Sequence, residues 1–387
     1  MQLLASGSLA KMKTQLIDGN VEYGLPVGHH TTAMNERIGQ RVKLVYRGEI
    51  KCLSCAKMTK KSYSQGYCYR CAMTLPQCDS CIMSPEKCHY HAGTCRDSSW
   101  GEKFCFQDHF VYLANSSGIK IGITRGSQIP TRWMDQGAIQ AKPVARIRNR
   151  LMSGKIEDAF KAVLPDKTNW RNLLKGDAMP LDLNALWHEA QEQMQTNISD
   201  VVAKVEAEVA AKRDAHPDFK AVEFDSEIEW LNDSDIVGIS YPVTKYPSKI
   251  VSLSLDGELE DRYRELFEGI FTDHLAALEL DTKVHKAVLK LFTSSVKKGL
   301  KKARTHKPAV EALAAVCSKE PLLSALDTVA INAEFASQLK QQISHNGAFE
   351  GVVEGELQGI KGQYLILDSG VINMRKFTAY QVDFFAL

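Results

Sequence analysis

Short alternations of apolar and polar residues open the chain. Residues 13–17 (Lys-Thr-Gln-Leu-Ile) and 40–46 (Gln-Arg-Val-Lys-Leu-Val-Tyr) follow a period of two and are closed by Gly or Pro turns, which predicts a few β-strands across residues 12–50. The same period returns on both sides of Ser117-Gly118 and predicts a strand, a tight turn and a second strand over residues 109–124. Helical patterns at 131–135 and 155–164 bracket a strand-like stretch at 143–147, which makes a β-β-α-β-α unit. From about 181 to 212 Ala, Glu, Gln, Met and Val recur at helical spacing without Pro, predicting a long helix or helix pair. Strand patterns follow at 236–240 and 250–255, a helical stretch rich in Leu, Lys and Ala at 257–345, and strands with turns at 351–385.

The resulting parse is an N-terminal β region (1–50), a cysteine-rich module (51–109), an α/β domain (110–176) and a helical linker (177–233). A small β domain follows, split between 234–256 and 350–387 by a helical insertion (257–349) long enough to pack around a core of its own. No internal repeat is visible.

Composition narrows the class. At 387 residues and 44% apolar content, with no apolar run long enough to span a bilayer, the chain is expected to be a soluble protein of two or three domains with no membrane partner. The first ten residues have a short Leu/Ala stretch but no basic head and no clear cleavage site, so a cytoplasmic location is expected. The net charge of +2 conceals an asymmetry: up to Lys175 there are about 26 Lys and Arg against about 13 Asp and Glu, and the remainder is acidic. Two four-thiolate zinc sites would take about 4 charges from that basic half, leaving roughly +9 to attract phosphate. DNA or RNA is therefore the expected partner, with oligomeric state left open.

Nine of the ten cysteines fall between Cys52 and Cys105. In a reducing compartment, paired C-x-x-C thiols point to metal rather than disulfides. Cys52, Cys55, Cys68 and Cys71 form two knuckles separated by twelve residues, the spacing of a zinc ribbon, and Gly66 suits the tight backbone that such knuckles need. A second zinc site is assigned to Cys78, Cys81, Cys88 and Cys95, with His91 and Cys105 competing for the last two positions and an iron–sulfur cluster as the other use of such thiols.

Behind the cysteines come Val111-Tyr112-Leu113, then Lys120-Ile-Gly122, then Thr131-Arg132-Trp133, then Lys155-Ile-Glu157. In order and approximate distance these resemble the GIY-YIG nuclease superfamily, with Lys120 where many members have Tyr. The resemblance implies a metal-dependent endonuclease site in which Glu157 holds Mg2+ or Mn2+, Arg132 grips the phosphate, and Tyr112 or Lys120 deprotonates or orients water. Arg125, Trp133, Trp170 and Arg171 are the expected nucleic-acid contacts, as cations and aromatics that grip phosphate and stack on bases. A basic run at 297–307 is a further candidate phosphate contact.

At larger scale the chain resembles domain-of-unknown-function family 2797. The resemblance rests on strings at 61–68, 78–89, 111–118, 130–138, 166–171 and 359–368, and covers roughly 20–256 and 350–383. The fold class expected is α+β: a zinc-ribbon-type module, a GIY-YIG-like α/β core and a small β domain with a helical insertion. The function expected is a zinc-stabilised nucleic-acid-binding protein acting as an endonuclease. The competing class is a non-catalytic RNA- or ribosome-binding factor using the same basic surface.

Overall fold

The computed structural model describes residues 1–167, 169–255 and 351–387, together with Lys286 and Lys290. Strands β1 (Gln2–Ser8), β2 (Lys13–Ile17), β3 (Asn20–Val27), β4 (His30–Ala33) and β5 (Arg41–Ile50) occupy the first fifty residues. The cysteine module holds two short helices, α1 (Tyr69–Thr74) and α2 (Ser98–Cys105), joined by four single-turn 3-10 helices. Then come β6 (His109–Asn115), β7 (Ile119–Arg125), α3 (Thr131–Asp135), β8 (Gln140–Ile147), α4 (Arg150–Phe160), α5 (Trp170–Leu173) and α6 (Leu183–Ala215). Strands β9 (Ile228–Trp230) and β10 (Val237–Gly238) precede the C-terminal set β11 (Gly351–Lys361), β12 (Tyr364–Leu367), β13 (Gly370–Asn373) and β14 (Tyr380–Ala386). This is a mixed α+β architecture with several sheets.

The described residues form three antiparallel sheets. β2, β3 and β4 form a meander; a five-stranded sheet runs β10-β8-β6-β7 with β9 on β8; a six-stranded sheet runs β1-β14-β5-β11-β12-β13. Residues 1–50 and 351–387 therefore share one sheet, with β5 lying between β14 and β11. Such pairing of distant segments leaves no short-range trace in sequence.

Period-two alternation sends β6 into two cores. Val111 and Leu113 join Ile121, Ile147, Met152, Ile156, Phe160 and Trp187 beneath α4 and α6. Tyr112 and Ala114 face the other way, into a cluster with Leu9, Met12, Trp133, Met134 and Phe377 that unites the hairpin sheet with the other two. The long helix begins where Asp182 accepts from the backbone N–H groups of Asn184 (3.1 Å) and Ala185 (3.0 Å). Its buried residues Leu183, Trp187, Ala190 and Met194 recur at three- and four-residue steps along one face.

Several elements differ from expectation. α4 starts at Arg150 rather than 155, because Asn149 caps it by accepting from Met152 N at 2.7 Å. Residues 250–255 make a single parallel bridge, Ser252 to Val371, instead of a strand. The expected helical insertion and the basic run at 297–307 lie outside the described residues. Among the described residues, no helix is long and apolar enough to cross a membrane.

Candidate functional site: a thiolate knuckle beside a basic cleft

Just beyond β5 the chain makes its first knuckle, with Ala56 at φ +56° and its N–H on Cys52 O at 2.9 Å. The second knuckle is tied to the first by Leu53 N donating to Gly66 O at 2.9 Å. Gly66 sits at φ +131°, a conformation that favours glycine. These turns bring the sulfurs of Cys52, Cys55, Cys68 and Cys71 within 4.8 Å of one another, with Cys55 and Cys68 3.7 Å apart. A zinc ion with Zn–S bonds of about 2.3 Å needs sulfurs about 3.8 Å apart, so the set fits a closed tetrahedron. Burial opposes ionisation of Cys52, but the N–H groups of Cys55, Cys68 and Ser54 bring its pKa down to about 6. Burial and the neighbouring thiols push Cys71 up to about 12. A cation among the four sulfurs would favour the Cys71 thiolate that burial and its neighbours oppose.

The remaining cysteines do not group as the spacing suggested. Cys81, Cys88 and Cys95 border one small internal cavity, but its other cysteine is Cys105. Cys78 stands instead near Ser64, Arg96 and Cys52. A 3-10 turn ends at Cys78 and another begins at Ser80, so the C-x-x-C pair is split between two turns. His91 is enclosed by Tyr90, Phe106 and Phe224. Burial, with Arg213 and Lys212 nearby, lowers its pKa to about 4 and keeps it a neutral ring in an aromatic box. Asp79, Cys81 and His89 also approach within 4.8 Å. Arg96 Nε, however, lies 2.6 Å from Asp79 Oδ2, so a cation already satisfies that carboxylate.

The four residues expected from sequence to be catalytic come from four elements. Tyr112 (β6) lies across Gly122 (β7), its cross-strand partner, where a Cβ would stand 2.7 Å from Tyr112 Oη. Tyr112 Oη and the Gln136 amide share a hydrogen bond of 2.9 Å. With its oxygen turned to the guanidinium, that amide accepts from Arg132 Nε at 3.1 Å and Nη2 at 3.2 Å. Lys120 (β7) feels both Arg132 and Glu157: burial and Arg132 lower its pKa to about 8, against the pull of Glu157 and Asp166. Burial raises the Glu157 carboxyl, which lies in the fields of Lys161, Lys120, Asp166 and Arg132. Tyr112, Lys120, Arg132 and Glu157 thus share one neighbourhood.

Tyr112 is fully buried and its pKa is raised by that burial, so its hydroxyl orients Gln136 and Arg132 rather than accepting a proton. Lys120 is the group tuned toward neutral pH. Trp133 is 1% exposed and belongs to the core, which removes it from the expected nucleic-acid contacts. Trp170 is half-buried, stacked on Tyr364 at 5.9 Å with 6° between planes, and Arg171 covers its ring at 4.5 Å. Arg125 leans over Phe104 at 5.5 Å, toward the cysteine module.

A cleft of about 270 Å³ opens here, lined by Lys120, Asp135, Gln136, Trp170, Leu173, Gln363, Tyr364, Asn373 and Arg375. Asp135 is neutralised by Lys11 at 2.6 Å, and it also accepts from Gln363 Nε2 at 2.8 Å. Arg375 has its pKa lowered by burial and by Arg132, with Asp135 acting the other way. Neither guanidinium forms a salt bridge among the described residues. Gln136, Asp166, Gln363, Tyr364 and Arg375 were not singled out from sequence as site residues. Asp166, Gln363 and Tyr364 do sit inside the 166–171 and 359–368 strings, and only folding shows that those strings meet.

The family model described as "Protein of unknown function (DUF2797)" matches residues 39–286 and 297–382, starting at 39 rather than about 20 and taking in most of 257–349, which the strings did not cover. No curated protein and no solved structure matches the chain.

Proposed function

The chain belongs to that DUF2797 family, and from this premise we propose that it is a metal-dependent nuclease of GIY-YIG type, hydrolysing phosphodiester bonds in DNA or RNA. The supporting observation is that Lys120, Arg132 and Glu157, borne on β7, α3 and α4, lie in one another's fields beside a cleft that gathers cations. The strand order is a further support: β8 returns to the far side of β6 from β7, with α3 between and α4 after.

Arg132 offers a planar fork for the non-bridging oxygens, its Nε side held by Gln136. Glu157 and Asp166 are two neighbouring carboxylates, a donor set that suits one hydrated Mg2+ or Mn2+. Such an ion supplies neutralisation of charge on the scissile phosphate and the leaving oxygen. Lys120 in its neutral form accepts the proton of the attacking water, whose oxygen bonds phosphorus as the bond to the leaving oxygen breaks. With a pKa of about 8, roughly a tenth of Lys120 is neutral at pH 7. The Cys52 cluster, filled by zinc, is structural in this reading.

The complete burial of Tyr112 favours a second reading, a non-catalytic RNA- or ribosome-binding factor that keeps the basic cleft. Incubation with mixed single- and double-stranded DNA and RNA plus Mg2+ or Mn2+, with Glu157→Ala as control, separates the two. Cleavage by the wild type alone supports the nuclease. No cleavage by the wild type, or equal cleavage by the variant, leaves only the binder.

A further inference from the structure

Residues 76–92 contain only single-turn 3-10 helices, and few of their side chains are buried. A segment so short of regular structure and apolar core needs a cross-link to hold one shape. Together with residues 95–105 it lines a cavity of about 20 Å³, room for about one water-sized sphere. Cys81, Cys88, Cys95 and Cys105 all border that cavity, drawn from four places along the module. We propose that these four thiols form a second metal centre, separate from the Cys52 cluster, with Cys78 excluded.

Two observations carry the assignment. First, four thiols converge on one small cavity, and three of the four come from loops or single turns able to close on an ion. Second, a cation stands beside them: Arg150 is anchored by Nη2 donating to Ile82 O at 2.6 Å, next to Cys81, and lies in the fields of Cys81 and Cys105.

No three of these sulfurs lie mutually within 4.8 Å, unlike those of the Cys52 cluster. The turns therefore either draw in around one zinc ion or hold a broader iron–sulfur cluster; both take four thiolates. The site is independent of the hydrolytic reading above.

The test is metal content per chain, measured on the purified full-length protein with both zinc and iron supplied during expression. The wild type is expected to carry zinc at the Cys52 cluster plus a second centre. Cys105→Ser should lose that second centre and keep the first, Cys55→Ser should do the reverse, and Cys78→Ser should match the wild type. Iron with visible absorption identifies the cluster; a second zinc with none identifies the single ion. A Cys105→Ser protein with full metal content, or a Cys78→Ser protein losing as much as Cys105→Ser, overturns the assignment. Native alkylation of the wild type guards against a variant that fails to fold. Cys81, Cys88, Cys95 and Cys105 should resist labelling until a chelator is added, and equal labelling before and after chelation would also overturn it.

Discussion

Gln65, in the loop that carries the second knuckle to Cys68, accepts a hydrogen bond from Arg375 Nε at 2.5 Å. The thiolate cluster and the cleft are thus one hydrogen bond apart. Ser62 Oγ donating to Thr378 O at 3.2 Å adds a second tie between the same two segments. Release of the knuckle should therefore loosen the cleft wall as well as the module. Cys55→Ser is expected to lower the melting temperature by about 5 °C, the shift for a few kcal/mol in a chain of 387 residues. It should also weaken nucleic-acid binding. Gln65→Ala should keep its zinc and melting temperature while losing part of the affinity. Unchanged affinity in both variants would show that the tie is passive.

Gly122 predicts a stability effect that needs no assumption about function. The Tyr112 ring fills the space that a side chain at 122 would take, with Cζ 2.8 Å from the position of an added Cβ. Tyr112 is fully buried and cannot swing into solvent. Gly122→Ala should cost about 1–3 kcal/mol by overpacking, read from urea unfolding. A cost under about 0.5 kcal/mol would mean that the ring shifts freely.

Legibility in the sequence follows the range of the interaction. Local patterns suffice for the hairpin of β6 and β7, for α3 at 131–135 and for α6, because period and capping are written within a few residues. Cys52, Cys55, Cys68 and Cys71 were equally legible, since knuckle spacing is itself local. The union of β1 and β5 with β11 and β14 is set by side chains more than 300 residues apart and leaves no short pattern. Arg375 escaped notice for the same reason: nothing within its own 3-10 turn, Met374–Phe377, reports that Arg132 and Lys120 stand nearby. Cys78 and Cys81 show the limit of the motif: C-x-x-C spacing does not report that two 3-10 turns meet between the cysteines.

Lys120 predicts the pH dependence of cleavage. Burial first, then Arg132, holds its pKa at about 8, below the ordinary lysine value. As a proton acceptor it works only when neutral, so activity should rise with pH and level off above about 8. Lys120→Met should abolish that rise, and Lys120→Arg, which stays charged, should be at least as impaired. A wild-type profile that falls as pH rises from 6 to 9 would assign the essential ionisation to another group.

Arg132 and Arg375 predict how binding responds to salt. Each guanidinium is close enough to the other to lower the pKa of Arg375, and neither forms a salt bridge among the described residues. A phosphate between them would replace that repulsion with two charge-assisted contacts. Loss of one phosphate contact should reduce the slope of log K against log salt concentration by about 0.7–0.9, weakening binding evenly across sequences. Arg375→Ala should show that change with the zinc content intact. Arg132→Ala should show it together with a loss of cleavage, because only Arg132 is also held by Gln136 against Tyr112. A slope that stays at the wild-type value in both variants would place the bound phosphates elsewhere on the basic half of the chain.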